Sequence, residues 1–145
     1  MMEAAISKIN DAIVEFFRSD LQSIDWDYKP FPEKWSKKEV IGHLIDSAQI
    51  NLQRFTRCTY EENFKLIYDQ VEWVEAQKYQ LADVGELLDL WRLLNKQIIR
   101  VLTNYPVDRF QAQCDTGKTA INLHQVEWLA SDYGDHLIHH LKQIM

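Results

Sequence analysis

Residues 135–145 read DHLIHHLKQIM and place three of the chain's five histidines within five positions. His136 and His140 stand four residues apart, so on a helix they stack on adjacent turns of one face. They fall within the apolar stripe Val126, Leu129, Tyr133, Leu137, Leu141, Ile144, whereas His139 aligns with Asp132, Asp135 and Lys142 on a polar flank. A third inward imidazole is expected from elsewhere: His43 sits between Val40 and Leu44 and shares a face with Ser47 and Ile50. One inward histidine is ordinarily a core residue satisfied by a hydrogen bond. Two at this spacing need separate partners if both are buried neutral. A third aimed at the same space makes a divalent metal the economical answer, with three nitrogen ligands at about 2.0–2.1 Å and an open position. The pattern is not H-E-x-x-H, because Leu137 stands where a peptidase would carry its glutamate base.

These side chains must be held by helices. The apolar spacing predicts a first helix over about Glu3–Ser19, with Ile6, Ile9, Ile13 and Phe16 on one stripe. Pro30 and Pro32 preclude a regular helix in the connection that follows. Ser36 and Glu39 form a capping box that starts a second helix, which runs through Val40, Leu44, Ala48 and Phe55 to about Arg57. Cys58–Asp83 is less periodic and reads as a long crossover with a short helix around Trp73. A third long helix, about Val84–Asn104, carries Leu87, Trp91, Leu94, Ile98 and Leu102 and stops before Pro106. Gly117 marks a turn, and Asn122 is the expected N-cap of the last helix, which continues to Ile144. The expected fold class is all-α, a four-helix bundle with a long crossover connection.

Composition bounds the function. At 145 residues, 46% hydrophobic and 12% aromatic, residues 1–145 are expected to form one domain with a real core. Four glycines and three prolines suit long helices better than a many-stranded sheet. A net charge of −6 offers no basic stripe for a phosphate backbone, so no nucleic-acid partner is expected. No apolar run approaches the roughly 20 residues that span a bilayer. MMEAAISKIN has no apolar signal core, and a cytoplasmic location is expected. Cys58 and Cys114 are isolated, without C-x-x-C spacing or a nearby histidine, and read as structural free thiols.

WSKKEVIGHLIDSAQINLQRF together with DYGDHLIHHLKQI resembles the DinB-like family of small bacterial metal-binding bundles. YDQVEWVEAQKYQ, between them, resembles the crossover of one DinB branch, and the likeness runs from the first helix to Ile144. Carried over by position, the family's metal triad falls on His43, His136 and His140. The resemblance implies a four-helix bundle with a crossover, a divalent metal such as nickel or zinc, and frequently a homodimer. The activities it implies are mixed: metal-dependent hydrolases, thiol-dependent transferases and isomerases, and members without a known role. Gly134 departs locally from a good helix former, at about 1 kcal/mol against alanine, and admits a close helix contact.

Around the triad, Asp46 lies one turn after His43 and Asp132 one turn before His136. Either could accept a ligand histidine's distal N–H or act as a base toward metal-activated water; otherwise each is a surface acid. Arg54 is expected to pair with an acid of the 61–72 segment, and His124 to lie on the surface. Trp35, Trp73, Trp91 and Tyr133 are candidate lining residues or simply core. Three functions follow. The leading one is a hydrolase of an unknown small-molecule substrate using metal-activated water. The others are a transferase or isomerase that ionises a low-molecular-weight thiol on the metal, and a non-catalytic metal-binding stress-response module.

Overall fold

Apolar side chains recur every third or fourth residue along four stretches, and each stretch forms a helix that turns its stripe inward. In the computed structural model, which describes residues 1–145, the helices are α1 (Met2–Arg18), α2 (Lys37–Arg57), the short α3 (Gln70–Gln77), α4 (Val84–Thr103) and α5 (Val126–Ile144). Local chemistry sets the starts. Ser36 Oγ accepts the Glu39 amide at 3.1 Å and Glu39 Oε1 accepts the Ser36 amide at 3.0 Å, the reciprocal capping box expected of that pair. Asp83 caps α4 by accepting the Glu86 amide at 3.0 Å. No helix is long and apolar enough to cross a membrane.

α1 packs against α4 and α5, and α2 packs against the same two. The long helices therefore form a four-helix bundle in the cyclic order α1–α5–α2–α4. Consecutive helices α1 and α2 stand across a diagonal, as do α4 and α5, so their connections must pass over an end of the bundle. α2 and α5 are side by side, the arrangement a site shared between His43 and the His136/His140 pair requires. Between the helices, Ile9, Phe16, Leu44, Phe55, Trp91 and Leu137 are at most 1% exposed. Each such side chain contributes on the order of 1.5–3 kcal/mol by leaving water. Trp91 meets Phe16 edge-on, 5.6 Å between ring centres. Gly134 is a point of close approach: a Cβ there would lie 3.1 Å from Lys8 Cδ and 3.3 Å from Ile9 Cγ1. The contact with α1 thus accounts for the weak helix former.

A small sheet adds to the helices that periodicity predicts. β1 (Phe64–Lys65), β2 (Gln113–Asp115) and β3 (Leu123–Gln125) lie in that order, β1 parallel and β3 antiparallel to β2. Phe64 is opposite Cys114, and Cys114 is opposite His124. The sheet ties the crossover to the segment before α5 and corrects the expected N-cap. Asn122 does not start the helix; its amide donates to Asp115 Oδ1 at 2.9 Å, and α5 begins at Val126 after Gln125. Asp115 Oδ1 also accepts the Gly117 amide at 2.9 Å, and these two bonds hold its carboxyl below the usual range. Gly117 forms the expected turn: a Cβ would meet the Ala120 carbonyl oxygen at 1.7 Å.

Candidate metal centre

α2 supplies His43, fully buried, and α5 supplies His136 and His140, both half-buried. His136 Nε2 lies 3.2 Å from His43 Nε2 and 3.1 Å from His140 Nε2, and one nitrogen from each ring falls within 4.8 Å of the others. His139 points to solvent, as its register requires.

Two neighbours fix which nitrogens face inward. His43 Nδ1 lies 2.8 Å from the Tyr68 hydroxyl, which itself donates to the His43 carbonyl at 3.2 Å. A hydroxyl whose proton is committed to a carbonyl accepts from Nδ1–H, leaving His43 Nε2 as a bare lone pair. His140 Nδ1 lies 2.9 Å from Gln143 Oε1, which only accepts, so its Nε2 is bare as well. A proton on His136 Nε2 can serve only one of these two lone pairs. Burial opposes any further proton: it holds His43 down to about 3 and His136 to about 4, with the neighbouring imidazoles adding repulsion. His140 is lowered by burial too.

Three neutral imidazoles with converging lone pairs suit a cation. Nitrogens bound to one ion at about 2.0–2.1 Å with near-tetrahedral angles stand roughly 3.1–3.4 Å apart. The 3.1 and 3.2 Å separations fall in that range. His43, His136 and His140 could therefore hold a divalent metal with little rearrangement.

Tyr68 takes the place expected of Asp46. Asp46 is fully buried, but no histidine donates to it; Oδ1 accepts from Gln77 Nε2 and Tyr79 Oη, both at 2.6 Å. One turn after His43, it faces α3 and the turn beyond it rather than the ring. Its Oδ2 has no partner, and burial raises its pKa. Tyr79 packs flat on the α2 backbone, where a Cβ on Gly42 would meet its ring at 2.1 Å. Tyr68, Gln77 and Tyr79 all belong to the YDQVEWVEAQKYQ stretch, the only sign of them in the sequence, since neither helical nor strand spacing singles them out.

The other candidates separate. Trp35 lies at the site, its ring 5.0 Å from that of His43, and Trp73 meets Tyr68 edge-on at 5.9 Å. Trp91 belongs to the core with Phe16, and Tyr133 donates to Asn95 within the bundle. Asp132 is an exposed acid. His124 is half-buried and stacks on Trp128, 3.6 Å between ring centres. Arg54 forms no ion pair with the 61–72 segment; it donates to the Leu66 carbonyl there at 2.6 Å, a backbone oxygen replacing the expected acid. Cys58 and Cys114 are buried free thiols, and burial pushes Cys58 up to about 12, away from reactivity.

The fold has known counterparts. YfiT from Bacillus subtilis, described as a probable metal-dependent hydrolase with an unusual four-helix bundle topology, superposes with a TM-score of 0.83 at 21% identity, covering 99% of this chain and 83% of that one. A mycothiol-dependent maleylpyruvate isomerase superposes with a TM-score of 0.72 at 11% identity, over 97% of this chain and 60% of that one. No curated protein matches the sequence. At these identities the superpositions establish the fold alone. The sequence itself matches the DinB superfamily over residues 16–144, which include all three histidines, and the chain belongs to that superfamily.

Proposed function

We propose that the protein is a divalent-metal-dependent hydrolase whose ion is held by His43, His136 and His140. One observation carries this reading: three neutral imidazoles bring their Nε2 atoms to separations of 3.1 and 3.2 Å with no proton set that satisfies them all. When bound, such an ion supplies Lewis acidity and brings water ionisation toward neutral pH, a capacity that three uncharged ligands preserve. The chain's own groups do the rest. Tyr68 and Gln143 keep the protons of His43 and His140 on Nδ1 and aim Nε2 at the ion. Trp35 shields the His43 edge of the site from bulk water. Asp46, the buried carboxyl of the same helix, is held by Gln77 and Tyr79 and serves to position the stretch that carries Tyr68 rather than to act at the ion itself. Zinc and nickel both suit an imidazole donor set.

The fold shared with a mycothiol-dependent isomerase supports a second reading, in which the same ion ionises a small thiol. Cobalt substitution separates the two. A hydrolase centre gives a visible spectrum that changes with pH near neutrality and turnover of activated esters or amides that is lost in His140→Ala. A thiol-using centre gives an intense sulfur-to-metal band with a low concentration of thiol and no such turnover. A spectrum indifferent to both pH and thiol removes both readings and leaves a structural ion.

A further inference from the structure

A cavity of about 690 Å³ lies between the 24–37 connection and helices α2, α3 and α5. Small-molecule sites occupy roughly 300–1,000 Å³. The three histidines do not line it, but two of its lining residues touch them: Gln143, whose amide oxygen holds His140, and Trp35, whose ring lies against His43. Tyr28 and Phe31 also line it and stay 63% and 58% exposed. With Trp35 they gather three flat rings around one space, where a ligand's apolar body can cover them.

The charges on the cavity narrow the class of ligand. Asp25, Glu33, Lys34 and Lys37 line it, and none of them forms an ion pair. Two other lysines of the same stretch are paired, Lys29 with Glu39 at 2.8 Å and Lys38 with Asp27 at 2.6 Å. The cavity thus presents two free cations and two free anions. An anionic ligand gains from the lysines but is repelled by the carboxylates, and a cationic ligand meets the reverse. A molecule carrying both charges gains from both sets.

Resting on the reading of the three histidines as a metal centre, we infer that this cavity holds the substrate's body and that the substrate is a small zwitterion with a flat apolar group, chemically an amino acid or a conjugate of one. An occupant stacked on Trp35 stands one side chain away from His43, which brings the bound molecule to the edge of the centre.

Three probes of one shape test this: phenylalanine as the zwitterion, phenylacetate as the anion and phenethylamine as the cation. Each is titrated by calorimetry into the full chain, both loaded with zinc and stripped of metal, so that carboxylate binding to the ion is recognised by its absence from the stripped protein. Phenylalanine should bind about tenfold more tightly than either singly charged probe in both forms, a difference of about 1.4 kcal/mol. Lys34→Ala with Lys37→Ala should reduce its affinity to that of phenethylamine. Asp25→Asn with Glu33→Gln should reduce it to that of phenylacetate, with circular dichroism unchanged in both variants. Equal affinities for the three probes, or binding of none, overturn the inference. Metal content of the same samples reads the underlying assignment separately. A chain that prefers phenylalanine but takes up no metal keeps the cavity as a zwitterion site and removes the metal centre. A loaded chain indifferent to charge does the opposite.

Discussion

At the scale of single residues, the site rests on which nitrogen of each ring keeps its proton. His43→Ala and His140→Ala should each abolish stoichiometric metal in protein purified without a histidine tag, while His139→Ala stays loaded, because His139 faces solvent. Elemental analysis decides it, and an empty His139 variant beside a loaded His140 variant would mean the wrong pair is assigned. Tyr68→Phe asks a finer question. It keeps the ring stacked on His43, 5.7 Å away and 9° from parallel, and removes only the hydroxyl that orients Nδ1. Metal affinity should fall about 10–100-fold, the usual effect of losing a partner behind a ligand histidine. Competition with a chromophoric chelator measures it, and an affinity equal to wild type would assign Tyr68 to packing alone. The convergence of the histidines was legible because helix register is a property of spacing, and spacing is written in the sequence. Tyr68 was not, since it lies in the aperiodic crossover and reaches His43 only through tertiary folding.

At the scale of elements, the long helices could be read within a residue or two of their ends except at the start of α5, and α2 to its first residue, because caps and apolar stripes are local signals. The sheet could not, since strands of two or three residues hold too few positions to display an alternation. Asn122 shows how the misreading arises: a residue type suited to capping sits just before an apolar run, yet its amide is claimed by Asp115, seven residues back. Gly42 and Gly134, the two glycines at helix contacts, should respond differently to substitution. Gly42→Ala drives a methyl into the Tyr79 ring, which is tethered through its hydroxyl to Asp46 and has little freedom to move. It should cost about 1–3 kcal/mol by overpacking. Gly134→Ala meets chiefly the flexible Lys8 side chain, and the gain of about 1 kcal/mol in helix propensity offsets the crowding. Urea unfolding should find Gly42→Ala clearly destabilised and Gly134→Ala close to wild type; the reverse ranking would show that the α1–α5 contact is the tighter constraint.

At the scale of the molecule, the diagonal connections place α2 beside α5 and bring the histidines into a bundle that keeps them neutral. That neutrality makes stability depend on pH. In the unfolded chain the imidazoles take up protons near 6.5, whereas in the folded chain His43 resists to about 3 and His136 to about 4. Between those values the unfolded state binds more protons, so the metal-free protein loses stability as the pH falls from about 6.5 toward 3. Asp46 acts in the opposite sense. Its folded pKa is raised, so the folded state keeps its proton longer, and stability is lost as the pH rises through the carboxylate range. Urea melts across this range should show an acid limb that flattens in His43→Gln and persists in Asp46→Asn, with the Asn variant more stable near neutrality. A limb unchanged in His43→Gln would remove the histidines as its source. Zinc at about 100 times its Kd should add about 2.7 kcal/mol at neutral pH. That increment should hold through the upper part of this window and fade only as the pH nears about 4 and then 3, where His136 and His43 of the folded chain take up protons that compete with the ion for the same Nε2 lone pairs. An increment that persisted to low pH would locate the ion on other groups.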